Sequence, residues 1–187
     1  MNMERDKKAT ALIMAGKRSG MLDPLAANAG VAQKCVVPVH GVPMIERVVK
    51  QVAACDQVGA IRIVAHEADE IAALPSIAPL LNEGRLAFAE GKFNLVDSVF
   101  SGAEGAEFPL LITTADNCLV TPEGYAEFIG KCLDTEAEVA TGLARQQNVI
   151  AVDPVGQKRF YEFKGSSSSN CNMYWLWHKR TAVRAVF

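Results

Sequence analysis

The chain lacks most of the features that mark a specialised protein. No apolar run approaches the ~20 residues that a membrane span requires. The run that begins at Thr10 stops at Lys17-Arg18, too short also for the apolar stretch of a secretory leader, so neither is expected. Charge of one sign is missing: 19 Lys and Arg face 21 Asp and Glu, a net −2, which leaves no basic field for a dedicated nucleic-acid or membrane-surface binder. The five cysteines (35, 55, 118, 132 and 171) form no CxxC pair. That excludes a zinc ribbon and points to reduced core thiols of a cytoplasmic protein. The three histidines (40, 66 and 178) show no metal-ligand spacing. Aromatics are only 7%, and Trp175 and Trp177 alternate about Leu176 as strand packing rather than as a stacking platform. What remains is a soluble, half-hydrophobic chain of 187 residues, long enough for a genuine core and expected to form a single domain over residues 1–187.

Short apolar runs bounded by turn residues read as buried strands: Thr10–Ala15, Ala60–Ala65, Leu86–Ala89 and Leu110–Thr114. Pro43 opens a helix whose Ile45, Val48, Val49 and Val52 share one face. Residues 67–82 read as helix interrupted at Pro75 and Pro79, and further helices start at Asn94 and at Thr121-Pro122. Val139–Leu143, Arg159–Phe163 and Met173–Trp177 are further strands, with Ser166–Ser169 expected as a mobile loop and Gly16 to Val42 as a long one. The pattern after Trp177 looks like a helix just beginning, as if the chain continued. Strands alternating with helices imply an α/β fold of three layers, α/β/α, around a mostly parallel mixed sheet.

In such a sheet, ligands bind beyond the carboxyl ends of the strands. Two ends carry chemistry: Ala15-Gly16-Lys17-Arg18-Ser19-Gly20 after the first strand, and Asp116 after Leu110–Thr114. A glycine turn there can aim backbone N–H groups at phosphate, with Lys17 and Arg18 adding charge. It lacks both the second glycine of the dinucleotide fingerprint and the closing Gly-Lys-Ser/Thr of the Walker loop. Asp116 could equally end its strand in an Asx-turn.

The run Ala11–Met21, then Gln33-Lys34, then Val37-Pro38-Val39-His40-Gly41-Val42-Pro43-Met44-Ile45 resembles the signature of the MobA-like and sugar-phosphate nucleotidyltransferases, which share the GT-A-type fold. Weaker matches follow at Gly91 to Val99, at Asp116, and at Phe163-Lys164-Gly165 with Ser169 to Tyr174. In this chain Arg18 and Gly20 exchange the family's glycine and arginine, Gln33 replaces its proline, and the spacer from Leu22 to Ala32 is long.

The resemblance implies a Mg²⁺-dependent enzyme that moves a nucleoside monophosphate from a triphosphate to a phosphorylated small-molecule acceptor. It implies Lys34 and Arg18 as catalytic residues. Ala15, Gly16, Lys17, Ser19, Gly20, Asn94 and Ser98 would bind the nucleotide, Asp116 and Asn172 the metal, and Lys164 the acceptor. Local alternatives stand beside these roles: Asn94 as a plain N-cap, Ser98 as a helix hydroxyl, and Asn170 in place of Asn172. Two other functions stay open. One is a non-catalytic nucleotide binder, which the Arg18/Gly20 exchange allows. The other is a GT-A glycosyltransferase, against which Asp116-Asn117-Cys118 lacks the usual Asp-x-Asp.

Overall fold

The computed structural model describes residues 7–16 and 23–181. Strand β1 (Ala9–Met14) leads to helix α1 (Pro24–Ala29), a 3-10 turn at Lys34–Val36 and a small hairpin of β2 (Pro38–Val39) and β3 (Val42–Pro43). Helix α2 (Met44–Ala53), β4 (Val58–Ala65), α3 (Asp69–Ala72), α4 (Ala78–Asn82), β5 (Leu86–Glu90), α5 (Leu95–Ala103) and β6 (Leu110–Thr114) follow. The chain then forms α6 (Pro122–Asp134), β7 (Val139–Arg145), α7 (Gln146–Val152), β8 (Tyr161–Phe163) and β9 (Ser166–Leu176).

The main sheet has seven strands in the order β5-β4-β1-β6-β9-β7, with β8 paired to β9. Pairs β1/β4, β1/β6 and β4/β5 are parallel, whereas β9 runs antiparallel to β6, β7 and β8. The sheet is therefore mixed and mostly parallel. The side-chain period of two on β1 separates two cores. Ala11 and Ile13 join Ile45, Val48, Val49 and Val52 of α2 and Tyr125 and Ile129 of α6. Leu12 and Met14 join Val64, Ile112 and Ala103 on the α5 side. The four apolar residues of the α2 face are fully buried, each contributing about 1.5–3 kcal/mol. Helix α5 lies close because Gly102 has no side chain: a Cβ there would stand 2.7 Å from Val64 Cγ2.

Several sequence expectations change. Pro43 is the N-cap of α2 and a residue of β3 rather than the first helical residue. The long loop up to Val42 contains α1, the 3-10 turn and the hairpin, and α7 is a helix that no apolar stripe announced. Ser166–Ser169 is not a loop but the start of β9, where Ser168 and Ser169 pair with Arg145 and Ala144. Ladders on both sides override the poor strand preference of serine. Past Trp177, only a helical turn through Thr181 is described.

Cys55, Cys118, Cys132 and Cys171 are free thiols, and burial pushes that of Cys132 up to about 11. Among the described residues no helix is long and apolar enough to cross a membrane.

Candidate functional site

Strand β1 sits between β4 and β6. The chain reaches β4 on one side first and returns to β6 on the other only after β5 and α5. The β1/β6 boundary is therefore the topological switch point, where a crevice opens beyond the strands' carboxyl ends. In register, Met14 lies beside Thr114, and the Ala115 amide donates to the Met14 carbonyl at 3.0 Å. Gly16 and Asp116 thus leave adjacent strands side by side. Ala15 is buried with its amide donated to Val64, whereas Gly16 is exposed. Lys17, Arg18, Ser19 and Gly20 lie outside the described residues.

Asp116 is the centre of what is described. Lys34, at the start of the 3-10 turn, donates to Asp116 Oδ2 at 2.6 Å, and Thr114 Oγ donates to Oδ1 at 2.7 Å. Burial pushes the Asp116 carboxyl up, but the hydrogen bonds from Lys34 and Thr114 and the charge of Lys34 outweigh it. The group is held below its ordinary value and is ionised at neutral pH.

Strand β9, paired with the end of β6 at Thr113/Met173, is bulged there. Between the pairs Thr141/Tyr174 and Leu143/Asn170 the register slips, and Asn172 takes a left-handed φ of 51°. Gly142 stands opposite the bulge, where a Cβ would fit tightly, 3.3 Å from Met173 Cβ, and would displace the flexible end of that side chain. Asn117 pins the bulge, donating from Nδ2 to the Cys171 carbonyl at 2.9 Å and to Thr113 Oγ1 at 3.1 Å. Both ends of the Asn170 amide are engaged: Nδ2 donates to the Tyr174 hydroxyl and Oδ1 accepts from the Asn172 amide. Asn172 is exposed, and its side chain has no hydrogen bond among the described residues.

On the other side of β1, the loop from Gly91 to Asn94 follows β5. Asn94 caps α5, accepting from the Asp97 amide at 2.8 Å and donating to its carboxylate. Ser98 is buried, with its hydroxyl accepting from the Lys92 amide and donating to the Asn94 carbonyl, both at 2.8 Å. Ser98 shapes the loop from within, and Asn94 caps the helix at the surface. Gly91 is required there, since a Cβ would meet Ala65 backbone carbon at 3.0 Å and His66 Nδ1 at 2.8 Å. Lys164 lies in an exposed turn before the start of β9, and Met173 lies seven positions along that strand from Ser166.

Sequence reasoning passed over Thr114 and Asn117. A Thr-x-Asp spacing at a strand end puts hydroxyl and carboxylate on one side, and this was the available signal for Thr114. Asn117 carried none, because its partner Cys171 is distant in sequence.

A single carboxylate suits a cation that retains most of its waters and is held partly by a substrate's phosphates. The donors are hard oxygens, as Mg²⁺ prefers. Among the described residues no group of three or more His, Cys, Asp or Glu could cage a metal by itself.

This arrangement on a mixed α/β sheet defines a class, the nucleotide-diphospho-sugar transferase (GT-A-like) fold. Solved structures share it. A hypothetical transferase from Thermus thermophilus is 21% identical, matching 91% of this chain and 65% of its own, with a TM-score of 0.66. This chain therefore spans about two-thirds of that protein's length. The 4-diphosphocytidyl-2C-methyl-D-erythritol synthase of Anaerococcus prevotii is 12% identical over 95% of this chain and 73% of its own, with a TM-score of 0.64. A CMP:2-keto-3-deoxy-manno-octonic acid synthetase complexed with CTP is 13% identical over 96% and 78%, also at 0.64. No curated protein sequence matches the chain. The profile of the MobA-like NTP transferase domain matches residues 11–170. The chain belongs to that family.

Proposed function

We propose that this protein transfers a nucleoside monophosphate from a triphosphate to a phosphorylated small molecule, with release of diphosphate. The observation that carries this reading is the Lys34–Asp116 pair at the switch point, where Gly16 leaves the adjacent strand. An acceptor phosphate oxygen attacks the α-phosphorus. A new P–O bond forms there, the bond from the α-phosphorus to the bridging oxygen breaks, and diphosphate leaves with that electron pair.

The chain's part is alignment and charge compensation. Lys34 neutralises charge on the α-phosphate as the attack proceeds, and Lys17 and Arg18 hold the departing diphosphate. Gly16 admits the phosphates close to the backbone, while Asn94 and Ser98 act by fixing the loop that faces the nucleoside. Asp116, with Asn172, would hold a Mg²⁺, whose chemistry when bound is to draw charge from phosphate oxygens. Lys164 would meet an acceptor only if that molecule extended along β9. The reaction consumes nucleoside triphosphate, so a cytoplasmic location belongs to the same proposal.

The test is a thermal-shift and calorimetric panel of CTP, UTP, GTP and ATP, with and without Mg²⁺, on the wild type and Asp116→Ala. One triphosphate should stabilise the wild type in a Mg²⁺-dependent way that Asp116→Ala removes. That nucleotide should then support diphosphate release with a phosphorylated acceptor. Absence of stabilisation by all four would overturn the reading.

A further inference from the structure

Both carboxylate oxygens of Asp116 are engaged, by partners of different kinds. Thr114, on Oδ1, is two residues away at the end of the same strand and moves with Asp116. Lys34, on Oδ2, reaches in from 82 residues away on a long side chain that is 43% exposed. Lysine is a compact charge on a flexible four-carbon stem, so it can leave Asp116 without disturbing the backbone of either segment. A divalent cation bound to Asp116 through Oδ2 would contend with the Lys34 ammonium, since like charges at that range repel strongly.

We infer that Lys34 is a placeholder for the metal: in the nucleotide-free protein it occupies the cation's position on Asp116, and an arriving triphosphate draws it away. The inference rests on the functional reading above, in which Lys34 passes to the α-phosphate. Moving Lys34 to the phosphates exposes Oδ2 to the cation in the same event. Metal and nucleotide are thereby linked, each raising the other's affinity by one common factor. Lys34 then has two successive partners, the carboxylate before substrate arrives and the phosphate afterwards. An empty site keeps its carboxylate compensated without a metal.

The probe is Mn²⁺, its binding followed by electron paramagnetic resonance and water-proton relaxation. It is measured without nucleotide and with the triphosphate that the panel selects, on the wild type, Lys34→Met and Asp116→Ala. The wild type should bind Mn²⁺ more weakly without nucleotide than with it, by a factor of about 5–150. Lys34→Met should tighten nucleotide-free binding by a comparable factor and leave nucleotide-bound Mn²⁺ much less affected. Asp116→Ala should lose the protein-bound signal in both states, and far-ultraviolet circular dichroism should show all three proteins folded. An equal gain in both states for Lys34→Met would reflect removal of a positive charge alone; so would no gain at all argue against displacement. Either result overturns the placeholder and leaves the functional reading standing. If no Asp116-dependent Mn²⁺ binding occurs in any state, both fall together.

Discussion

Glu46 and Asp116 keep the same company: each carboxylate accepts from a hydroxyl and pairs with a lysine. Glu46 lies on α2, where Oε1 accepts from the Ser76 hydroxyl and amide and sits 3.5 Å from Lys50, one helical turn on. Asp116 divides its partners, with Thr114 on one oxygen and Lys34 on the other. Exposure separates them further, the Glu46 side chain at 8% and that of Asp116 at 35%. Glu46 is closed around a loop that it fastens. Asp116 stands at a strand end with one oxygen held only by a mobile side chain. The same chemical pieces make a fastener in one place and a reactive site in the other, according to burial and to how the partners are tethered.

The strongest way to sharpen this contrast is Asp116→Asn. The amide has the carboxylate's shape but not its charge, and diphosphate release should fall by about 10²–10³-fold. Thermal stability should shift by no more than about 4 °C, because a half-exposed ion pair contributes little to folding. A large loss of melting temperature would break the comparison by making Asp116 a fastener too.

Glu46→Gln should do the reverse. The hydrogen bond from Ser76 holds the Glu46 carboxyl below its ordinary value, helped by Lys50 and opposed by burial. A depressed value in the fold means that the ionised contacts stabilise it fully above the ordinary glutamate range, and that this stability is lost as pH falls through the lowered value. The variant should be about 1–2 kcal/mol less stable at neutral pH. Between about pH 7 and about pH 3 its denaturation midpoint should also fall less steeply than that of the wild type. Turnover per folded molecule should not change.

How much of this was legible in the sequence depends on where each signal resides. Strands β1, β4 and β6 could be read because strands buried on both faces are continuous apolar runs, and α2 because one face repeats with the helical period. The serines that begin β9 could not, since their strand state comes from β7 and β8 pairing on either side. Asp116 was singled out by its place at the carboxyl end of a strand, whereas its metal role and Lys34 were reached only through resemblance. The contact between the two residues joins positions 82 residues apart, and no local pattern encodes such a distance. Alternation along an ideal strand puts Asn170 and Asn172 on the same face; the bulge that separates them, and the Asn170 hydrogen bonds to Tyr174 and the Asn172 amide, have no local signal in the sequence.

The finest probe of the Asp116 arrangement is Thr114, whose hydroxyl fixes Oδ1 while Oδ2 stays exchangeable. Thr114→Val keeps the shape and removes that donor. Water can reach a half-buried carboxylate and replace part of the bond, so the loss is about 0.5–1.5 kcal/mol, or roughly 2–12-fold in turnover. If Thr114 orients Asp116, the loss should fall on kcat more than on the KM for the triphosphate, and Thr114→Ser should restore it. A residue that merely packed the end of β6 would lower stability in both variants without separating kcat from KM. Equal rates in wild type, Val and Ser variants would mean that Asp116 needs no second anchor, and the division of labour between its two oxygens would lose its fixed half.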